Sequence, residues 1–410
     1  MCHELRKRGT GGSAMKAWHF SENAYPYLPP ADEYESIRVT LPNRHYDPRK
    51  GAALYDRYID EWLIAEDEGV EIMLNEHHQT ATCVDPAAPL VLAALARLTK
   101  RARLLILGNP VANRRQPVRV AEEMAMVDVL SKGRLECGFV RGVPYEISPA
   151  NSNPVRMNER QWEAMDLIVK AWTQHDGPFS HEGRFFHHRQ VNIWPRPYQQ
   201  PHPPIWVSTT TPGGAQQVGR RGYVQATFLT GYQQTPAVFE AYRRGWREAG
   251  RGDEVPVNRL AYAALVYVGD SEAKARSGAE KLLWYITANK VPPHFSNPPG
   301  YVPVARQVQM LRGAPVDQHA GVRDKATVDK AIELGIMFAG TPDQVYGQIA
   351  RFYRHVGGFG HLLIMGQAGF LDHDETVDGI RMFAREVYPR LKQEFPDIAA
   401  SGVRQEHVVA

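Results

Sequence analysis

The sequence contains little cysteine: Cys2, Cys83 and Cys137 are the three thiols in 410 residues. They form no Cys-x-x-Cys pair and no even set, which excludes a small secreted domain held together by disulfides. A reducing, cytoplasmic setting is therefore expected for this protein.

Long apolar runs are also missing, because no stretch approaches the roughly 20 residues that a helix needs to span a bilayer. The first residues are basic but lack an apolar segment, which argues against a secretory signal. We interpret residues 1–14 as a disordered leader, residues 15–395 as one folded domain and residues 396–410 as a C-terminal tail. No membrane partner is expected.

Charge of one sign is not in excess either. The formal net charge is +3, and no dense basic face favours a nucleic-acid partner. The glycine motifs of a Rossmann nicotinamide site, a P-loop and a serine hydrolase do not occur in the required context. The neighbouring histidines at 77–78 and 187–188 lack the spacing of metal ligands, so no metal is expected.

Short apolar runs are what the chain does contain, and they alternate with amphipathic stretches. Most of these runs are apolar at successive positions, as in strands of a parallel sheet that is covered on both faces. Eight candidate strands follow: Lys16–Phe20, Val70–Leu74, Arg103–Leu107, Arg134–Phe139, Ile205–Ser208, Tyr223–Phe228, Leu260–Val268 and His361–Met365. The pattern predicts an α/β fold, a (β/α)8 TIM barrel with loop insertions.

Helical patterns separate the candidate strands, and proline opens several of them, which suits the first helical turn. The clearest helical stretches are Gly51–Glu68, Ala87–Leu98, Val118–Leu130 and Asp343–His355. Two segments break the alternation, at about 174–204 and 290–323, and we interpret both as insertions in loops. Loops of this length are more often functional than idle.

Polar residues follow the second candidate strand, where Glu76, His77 and His78 come directly after Asn75. The carboxyl ends of barrel strands carry the active site in this fold, and imidazoles exchange protons near neutral pH. The residues alone leave open whether this is an acid–base site or a hydrogen-bonded loop cluster.

Three further segments follow strands. Gly108–Asn109 allows close approach to a flat ligand or forms a simple turn. Arg141 suits a phosphate or a salt bridge. The segment from Ser208 to Gly214, just before a helical pattern, suits an anion or a helix cap. Its candidate contacts are Ser208, Thr209, Thr210, Thr211, Gly213 and Gly214.

As a set, these motifs resemble the bacterial luciferase-like family of flavin-dependent monooxygenases. The resemblance is carried by NEHHQT from Asn75, by LARLTKRARLLILGNPVA from Leu95 and by PVRVAEEMAMVDVLSKGRLECGFVRG from Pro117. GTPDQV at Gly340 and the closing HLLIMGQAGF and FAREVYPRL also match. The resemblance extends over roughly residues 16–391.

The resemblance implies a barrel that binds FMN at its mouth. It makes His77 the catalytic acid–base candidate near the flavin ring, oriented by His78 or Glu76. It matches the Gly108–Asn109 step to a non-proline cis peptide beneath the ring, with Asn109 a cofactor contact. Arg141 and the Ser208–Gly214 loop match phosphate contacts, and which of the three threonines binds phosphate stays open.

The function implied is a two-component monooxygenase, in which a separate flavin reductase supplies reduced FMN. Oxygen would then form a C4a-(hydro)peroxyflavin that oxygenates a small organic substrate. We also expect a homodimer. Two alternatives remain open: a deazaflavin-dependent hydride-transfer oxidoreductase on the same fold, and a catalytically silent flavin-binding protein.

Overall fold

The fold is seen in a computed structural model, which describes residues 15–288, 290–302, 304–312 and 326–396. The leader expected at residues 1–14 and nearly all of the expected tail, residues 397–410, lie outside the described residues.

Eight parallel strands close into a barrel, which confirms the predicted fold class. In chain order the strands are β1 (Lys16–Ser21), β2 (Glu71–Leu74), β3 (Leu104–Pro110), β4 (Leu135–Val140), β5 (Phe179–Glu182), β6 (His187–Val191), β7 (Ile205–Ser208), β8 (Val224–Phe228), β9 (Leu260–Val268), β10 (Met337–Gly340) and β11 (His361–Gln367). The barrel order is β1, β2, β3, β4, β7, β8, β9 and β11, and β11 pairs again with β1. All eight barrel strands coincide with the apolar runs of the sequence.

Three strands lie outside the predicted eight. β10 pairs in parallel with the second half of β9, where Met337 is opposite Leu265. β5 and β6 form an antiparallel hairpin inside the insertion at 174–204. Both β9 and β10 are buried along their whole length, so four apolar residues are enough to extend the sheet there.

Helices surround the barrel and cover its outer face. They are α1 (Pro48–Asp67), α2 (Ala88–Leu98), α3 (Pro117–Ser131), α4 (Met157–Thr173), α5 (Pro212–Arg221), α6 (Gly231–Glu248), α7 (Glu272–Ala288), α8 (Pro293–Ser296), α9 (Val304–Leu311), α10 (Val328–Glu333), α11 (Pro342–Val356), α12 (His373–Met382) and α13 (Tyr388–Glu394). A π-helical turn, Phe383–Val387, joins the last two. Side-chain caps begin some of them: Asp47 accepts the backbone N–H of Arg49, and Asp372 accepts that of Glu375.

The barrel interior is packed with mostly apolar side chains, and the N–H groups of its two tryptophans have hydrogen-bond acceptors. The rings of Trp18 and Trp206 meet edge to face, with their centroids 5.5 Å apart. Trp18 Nε1 donates to His361 Nδ1 at 3.1 Å, and Trp206 Nε1 donates to the carboxylate of Glu136. The interior is therefore a core rather than a pore, and a ligand must bind at one end of the barrel.

The start of the second insertion lies over the mouth of the barrel. The carbonyl of Lys290 accepts a hydrogen bond from Ser36 Oγ, and the helix Pro293–Ser296 packs against the turn Pro144–Glu146. Within the described ranges, no helix is long and apolar enough to cross a membrane.

Candidate active site at the barrel mouth

Residues from the loops after β2 and β4 meet at the carboxyl ends of the strands. His77 lies three residues after the end of β2, and its Nδ1 atom is 2.9 Å from Glu146 Oε1. Glu146 is part of the 3-10 turn that follows β4. The same carboxylate oxygen accepts the backbone N–H of His78 at 3.0 Å. One carboxylate therefore joins the two loops.

Glu146 is buried, with 2% of its side chain exposed, whereas His77 keeps 16% exposed. Burial alone would raise the pKa of Glu146, but the hydrogen bonds from His77 and from the N–H of His78 hold that pKa below its ordinary value. Since an ionised carboxylate only accepts hydrogen bonds, His77 carries its proton on Nδ1. Its Nε2 atom keeps a lone pair that can take up a proton.

His78 has different partners from its neighbour. Its Nε2 atom lies 3.0 Å from Glu76 Oε1, and the guanidinium of Arg114 donates to the same oxygen. The other carboxylate oxygen of Glu76 is buried and has no hydrogen-bond partner among the described residues. The two neighbouring histidines therefore belong to separate polar groups, as expected for successive residues on extended chain.

A second set of buried polar residues lies beside His77. The hydroxyl of Tyr145 is 3.2 Å from His77 Nδ1 and accepts a hydrogen bond from Arg38 Nε at 2.9 Å. Glu22, just after β1, accepts the side-chain amide of Asn75 at 2.9 Å. Burial raises the pKa of the Glu22 carboxyl.

Five polar residues of the mouth were not predicted from the sequence: Glu22, Arg38, Arg114, Tyr145 and Glu146. Their contacts with the loop after β2 and with one another join loops that are far apart in the chain, and no spacing rule indicates such pairs. Glu22 was the most accessible to prediction, because it directly follows a candidate strand.

Gly108 allows the loop after β2 to lie close to β3. A Cβ atom at this position would lie 2.6 Å from the backbone nitrogen of Glu76, and the register between β3 and β4 shifts here. The cis peptide bonds in the described residues are Trp194–Pro195 and Gln200–Pro201. The prediction of a cis bond at Gly108–Asn109 is therefore wrong. The glycine is explained by the backbone of the β2 loop that lies against it.

Asn109 is fully buried, yet neither polar atom of its side-chain amide has a hydrogen-bond partner in the described part of the chain. Buried amides are nearly always paired in folded proteins. Asn109 therefore has donor and acceptor capacity to spare at the carboxyl end of β3.

Arg141 directly follows β4, as expected, but it is not free. Its guanidinium donates to Asn158 Oδ1 at 3.2 Å and to the hydroxyl of Tyr301. It also lies over the Tyr301 ring, 4.3 Å from the centroid. Tyr301 belongs to the insertion over the mouth. The segment 290–302 therefore contacts Arg141, the residue that is expected to bind phosphate.

The Ser208–Gly214 loop follows β7, which is the neighbour of β4 in the barrel. Thr211 begins α5, and its hydroxyl accepts the backbone N–H of Gly214 at 3.3 Å. Thr209 Oγ1 accepts the N–H of Thr211, and a Cβ atom at Gly213 would meet open space. This helix N-terminus therefore follows the strand next to the one that precedes Arg141, and it has open space at Gly213.

Metal ligation has no obvious place in this arrangement. Within the described residues, no three His, Cys, Asp or Glu side chains are grouped so as to hold an ion. His181 lies near Glu163, and His187 near Glu182, in the hairpin region rather than beside the mouth histidines.

Comparison with known proteins adds sequence relatives to this geometry. The family described as luciferase-like monooxygenase matches residues 38–358. The oxygenase component of the flavin-dependent trigonelline monooxygenase of Acinetobacter baylyi is 30% identical over 242 residues. That alignment covers 58% of this chain and 65% of the relative, slightly under two thirds of its length.

Solved structures share the fold at lower identity. The oxygenating constituent of 3,6-diketocamphane monooxygenase from Pseudomonas putida, a type II Baeyer–Villiger enzyme in complex with FMN, aligns with a TM-score of 0.70 at 19% identity. A secondary alcohol dehydrogenase that depends on F420 aligns with a TM-score of 0.65 at 17% identity. Each alignment covers 92% of this chain and 99% of the other.

Proposed function

The chain belongs to the luciferase-like monooxygenase family, and from this premise we propose that it is the oxygenase component of a two-component, flavin-dependent monooxygenase. A separate reductase would supply reduced FMN, and a small organic substrate would be oxygenated with O₂. The observation that carries the proposal is that the His77–Glu146 pair and the unpaired amide of Asn109 lie at the same end of a barrel of this family.

The residues at the mouth suit a flavin mononucleotide. The amide of Asn109 offers a donor and an acceptor, as the polar edge of a flavin ring requires. Arg141 and the N-terminus of α5 follow adjacent strands, and both favour an anion such as the FMN phosphate. Candidate loop contacts are Ser208, Thr209, Thr210, Thr211, Gly213 and Gly214.

His77 is the acid–base candidate, and Glu146 is its positioning residue. With its proton held on Nδ1 by Glu146, the imidazole can accept or return a proton at Nε2. Reduced FMN, when bound, would supply the electrons that activate oxygen. His78 and Glu76, with Arg114, form the neighbouring support of the loop that carries His77. The segment 290–302 would exclude water from the mouth.

The relative from Acinetobacter baylyi is named as an oxygenase component, which supports a reductase as the partner of this chain. A homodimer is supported by exposed apolar side chains on the adjacent helices α2 and α3: Leu90, Leu98, Met126, Val129 and Leu130. A cytoplasmic location is supported by Cys83 and Cys137, which are buried free thiols. Sedimentation of the purified protein tests the dimer.

Cofactor titration tests the proposed function directly. The protein is titrated without oxygen with oxidised FMN, reduced FMN and reduced F420, and binding is followed by fluorescence. Tight binding of reduced FMN, followed by product formation when oxygen and candidate substrates are added, supports the proposal. Preference for F420 with no response to oxygen would indicate the hydride-transfer alternative. Flavin binding without turnover of any substrate would indicate the silent alternative.

A further inference from the structure

Arg38 is a buried cation with an unpaired donor. Its residue is 2% exposed, and it lies in the turn between β1 and α1. Within the described ranges the guanidinium forms no ion pair with a carboxylate, and its Nη1 atom is buried without a hydrogen-bond partner. An arginine stays protonated even when buried, so it cannot relieve this cost by losing its charge.

The guanidinium is held in place by aromatic side chains. It lies over the rings of Tyr145 and Tyr285, 5.1 and 5.7 Å from their centroids. Its Nε atom donates to the Tyr145 hydroxyl at 2.9 Å. Its orientation is therefore fixed by contacts that use one edge of the group and leave Nη1 available.

Nearby acidic groups form no ion pair with Arg38 among the described residues. Glu22 is the carboxylate that interacts with Arg38 electrostatically, and burial raises the pKa of Glu22, which favours its neutral form. The carboxylate of Glu146 is already bonded to His77 and to the N–H of His78. A buried, oriented guanidinium with a free donor is the arrangement that recognises a carboxylate.

We propose that Arg38 binds the carboxylate of an anionic substrate, with Nη1 as the donor that the substrate completes. Tyr145 links this position to His77, because its hydroxyl is 2.9 Å from Arg38 Nε and 3.2 Å from His77 Nδ1. The substrate class is thus a small carboxylic acid. Its carboxylate would bind Arg38, and the Tyr145 hydroxyl lies between Arg38 and the acid–base candidate His77. The inference rests on the proposed function for its reaction, and on the Arg38 cluster alone for its binding.

The segment over the mouth is attached to this position. Ser36, two residues before Arg38, donates through its hydroxyl to the carbonyl of Lys290. The turn that carries the arginine and the insertion therefore contact each other, and a bound carboxylate would lie beneath them.

The test compares carboxylic acids with their uncharged amides in binding to the protein. Acetate and benzoate are each paired with acetamide and benzamide, and affinity is measured from the rise in thermal unfolding temperature with ligand concentration. The wild-type protein is expected to bind benzoate more tightly than benzamide. Arg38→Gln is expected to weaken benzoate by about 10- to 100-fold and to leave benzamide unchanged, because a charge-assisted hydrogen bond is lost.

Two further variants keep the result interpretable. Arg38→Lys retains the charge but loses the planar fork, so benzoate binding is expected to weaken less than in Arg38→Gln. If Arg38→Gln does not fold, Arg38→Lys decides the question. Benzoate binding by Arg38→Lys that is as tight as in the wild type would then overturn the proposal. Arg259→Gln is the matched control, because Arg259 also has a buried unpaired Nε atom but lies just before β9, at the opposite end of the barrel. It should bind benzoate as the wild type does.

Two results would overturn the proposal: equal binding of acids and amides by the wild-type protein, or full benzoate binding by Arg38→Gln. A third arm titrates reduced and oxidised FMN. If Arg38→Gln weakens reduced FMN alone and leaves benzoate unchanged, the anion is the reduced flavin, and the substrate assignment is wrong. If the wild-type protein binds benzoate through Arg38 but binds no flavin, the proposed function fails and the anion site stands.

Discussion

Glu146→Gln is the sharpest test of how the mouth is organised. Glutamine has the same shape and can still accept the backbone N–H of His78, which is 3.0 Å from Oε1 in the native protein. What it removes is the charge opposite His77 Nδ1, at 2.9 Å. Both side chains are largely shielded from solvent, so the charge is weakly screened.

The expected loss is the difference between a charge-assisted and a neutral hydrogen bond, about 1–2 kcal/mol of unfolding free energy at pH 7. The pKa of Glu146 is held below its ordinary value in the folded protein. Its contribution to stability is therefore fully present above the unfolded pKa and is lost as pH falls through the folded pKa. The stability gap between wild type and variant should shrink below about pH 4, near the unfolded glutamate pKa.

Urea denaturation at several pH values measures the gap, and ¹⁵N NMR of labelled histidines measures the tautomer of His77. In the wild type, Nδ1 should carry the proton. In Glu146→Gln the oxygen that accepts both N–H groups is neutral, so the Nδ1–H form of His77 is favoured less and the Nε2–H tautomer should gain population. Glu163→Gln is the control, because Glu163 contacts His181 away from the mouth. An unchanged His77 tautomer with an unchanged urea midpoint would show that Glu146 does not position His77.

Three further outcomes are expected. Arg141→Ala should weaken FMN about 10- to 100-fold and riboflavin little, as fluorescence titration would show; an equal loss for both would assign Arg141 to the fold. His77→Ala should lower single-turnover oxygenation roughly 100- to 10,000-fold with FMN affinity within a few fold, whereas His78→Ala should do less; the reverse order would exchange their roles. Gly108→Ala should lower the unfolding free energy by about 1–3 kcal/mol, because the new Cβ atom would meet the loop after β2. Gly347→Ala is the control and should be neutral or stabilising, because Gly347 lies in a helix with open space around it. Equal effects of the two substitutions in denaturation would contradict the steric argument.

The barrel was predictable because strands that are buried on both faces are apolar at successive positions. A strand such as β9 is apolar at nearly every position, and proline or a side-chain cap begins several of the intervening helices. β10 (Met337–Gly340) escaped prediction although it is as long as β2 and β7, which were predicted. Its place is set by pairing with β9, which is a tertiary contact.

Candidate residues of the mouth could be predicted only where a polar side chain lies at the end of a predicted strand. His77, Asn109 and Arg141 were chosen as candidates because each lies at or just after the end of a strand. Tyr301 accepts a hydrogen bond from Arg141, and it belongs to an insertion whose position no local sequence pattern specifies. The resemblance also misled at one point, since the Gly108–Asn109 bond is not cis in the structure.

The residues that the sequence did not indicate share a physical reason. Glu146 meets His77 across 69 positions, and Tyr145 meets Arg38 across 107, so each pair is formed only when the barrel closes. Both pairs lie in the loops after β1, β2 and β4, which the strands hold at one rim. A barrel can keep its strand-end residues and its cofactor site while these loops change. The Arg38–Tyr145 contact is therefore where we expect the substrate preference of this chain to reside, rather than in the histidines that the EHH segment presents.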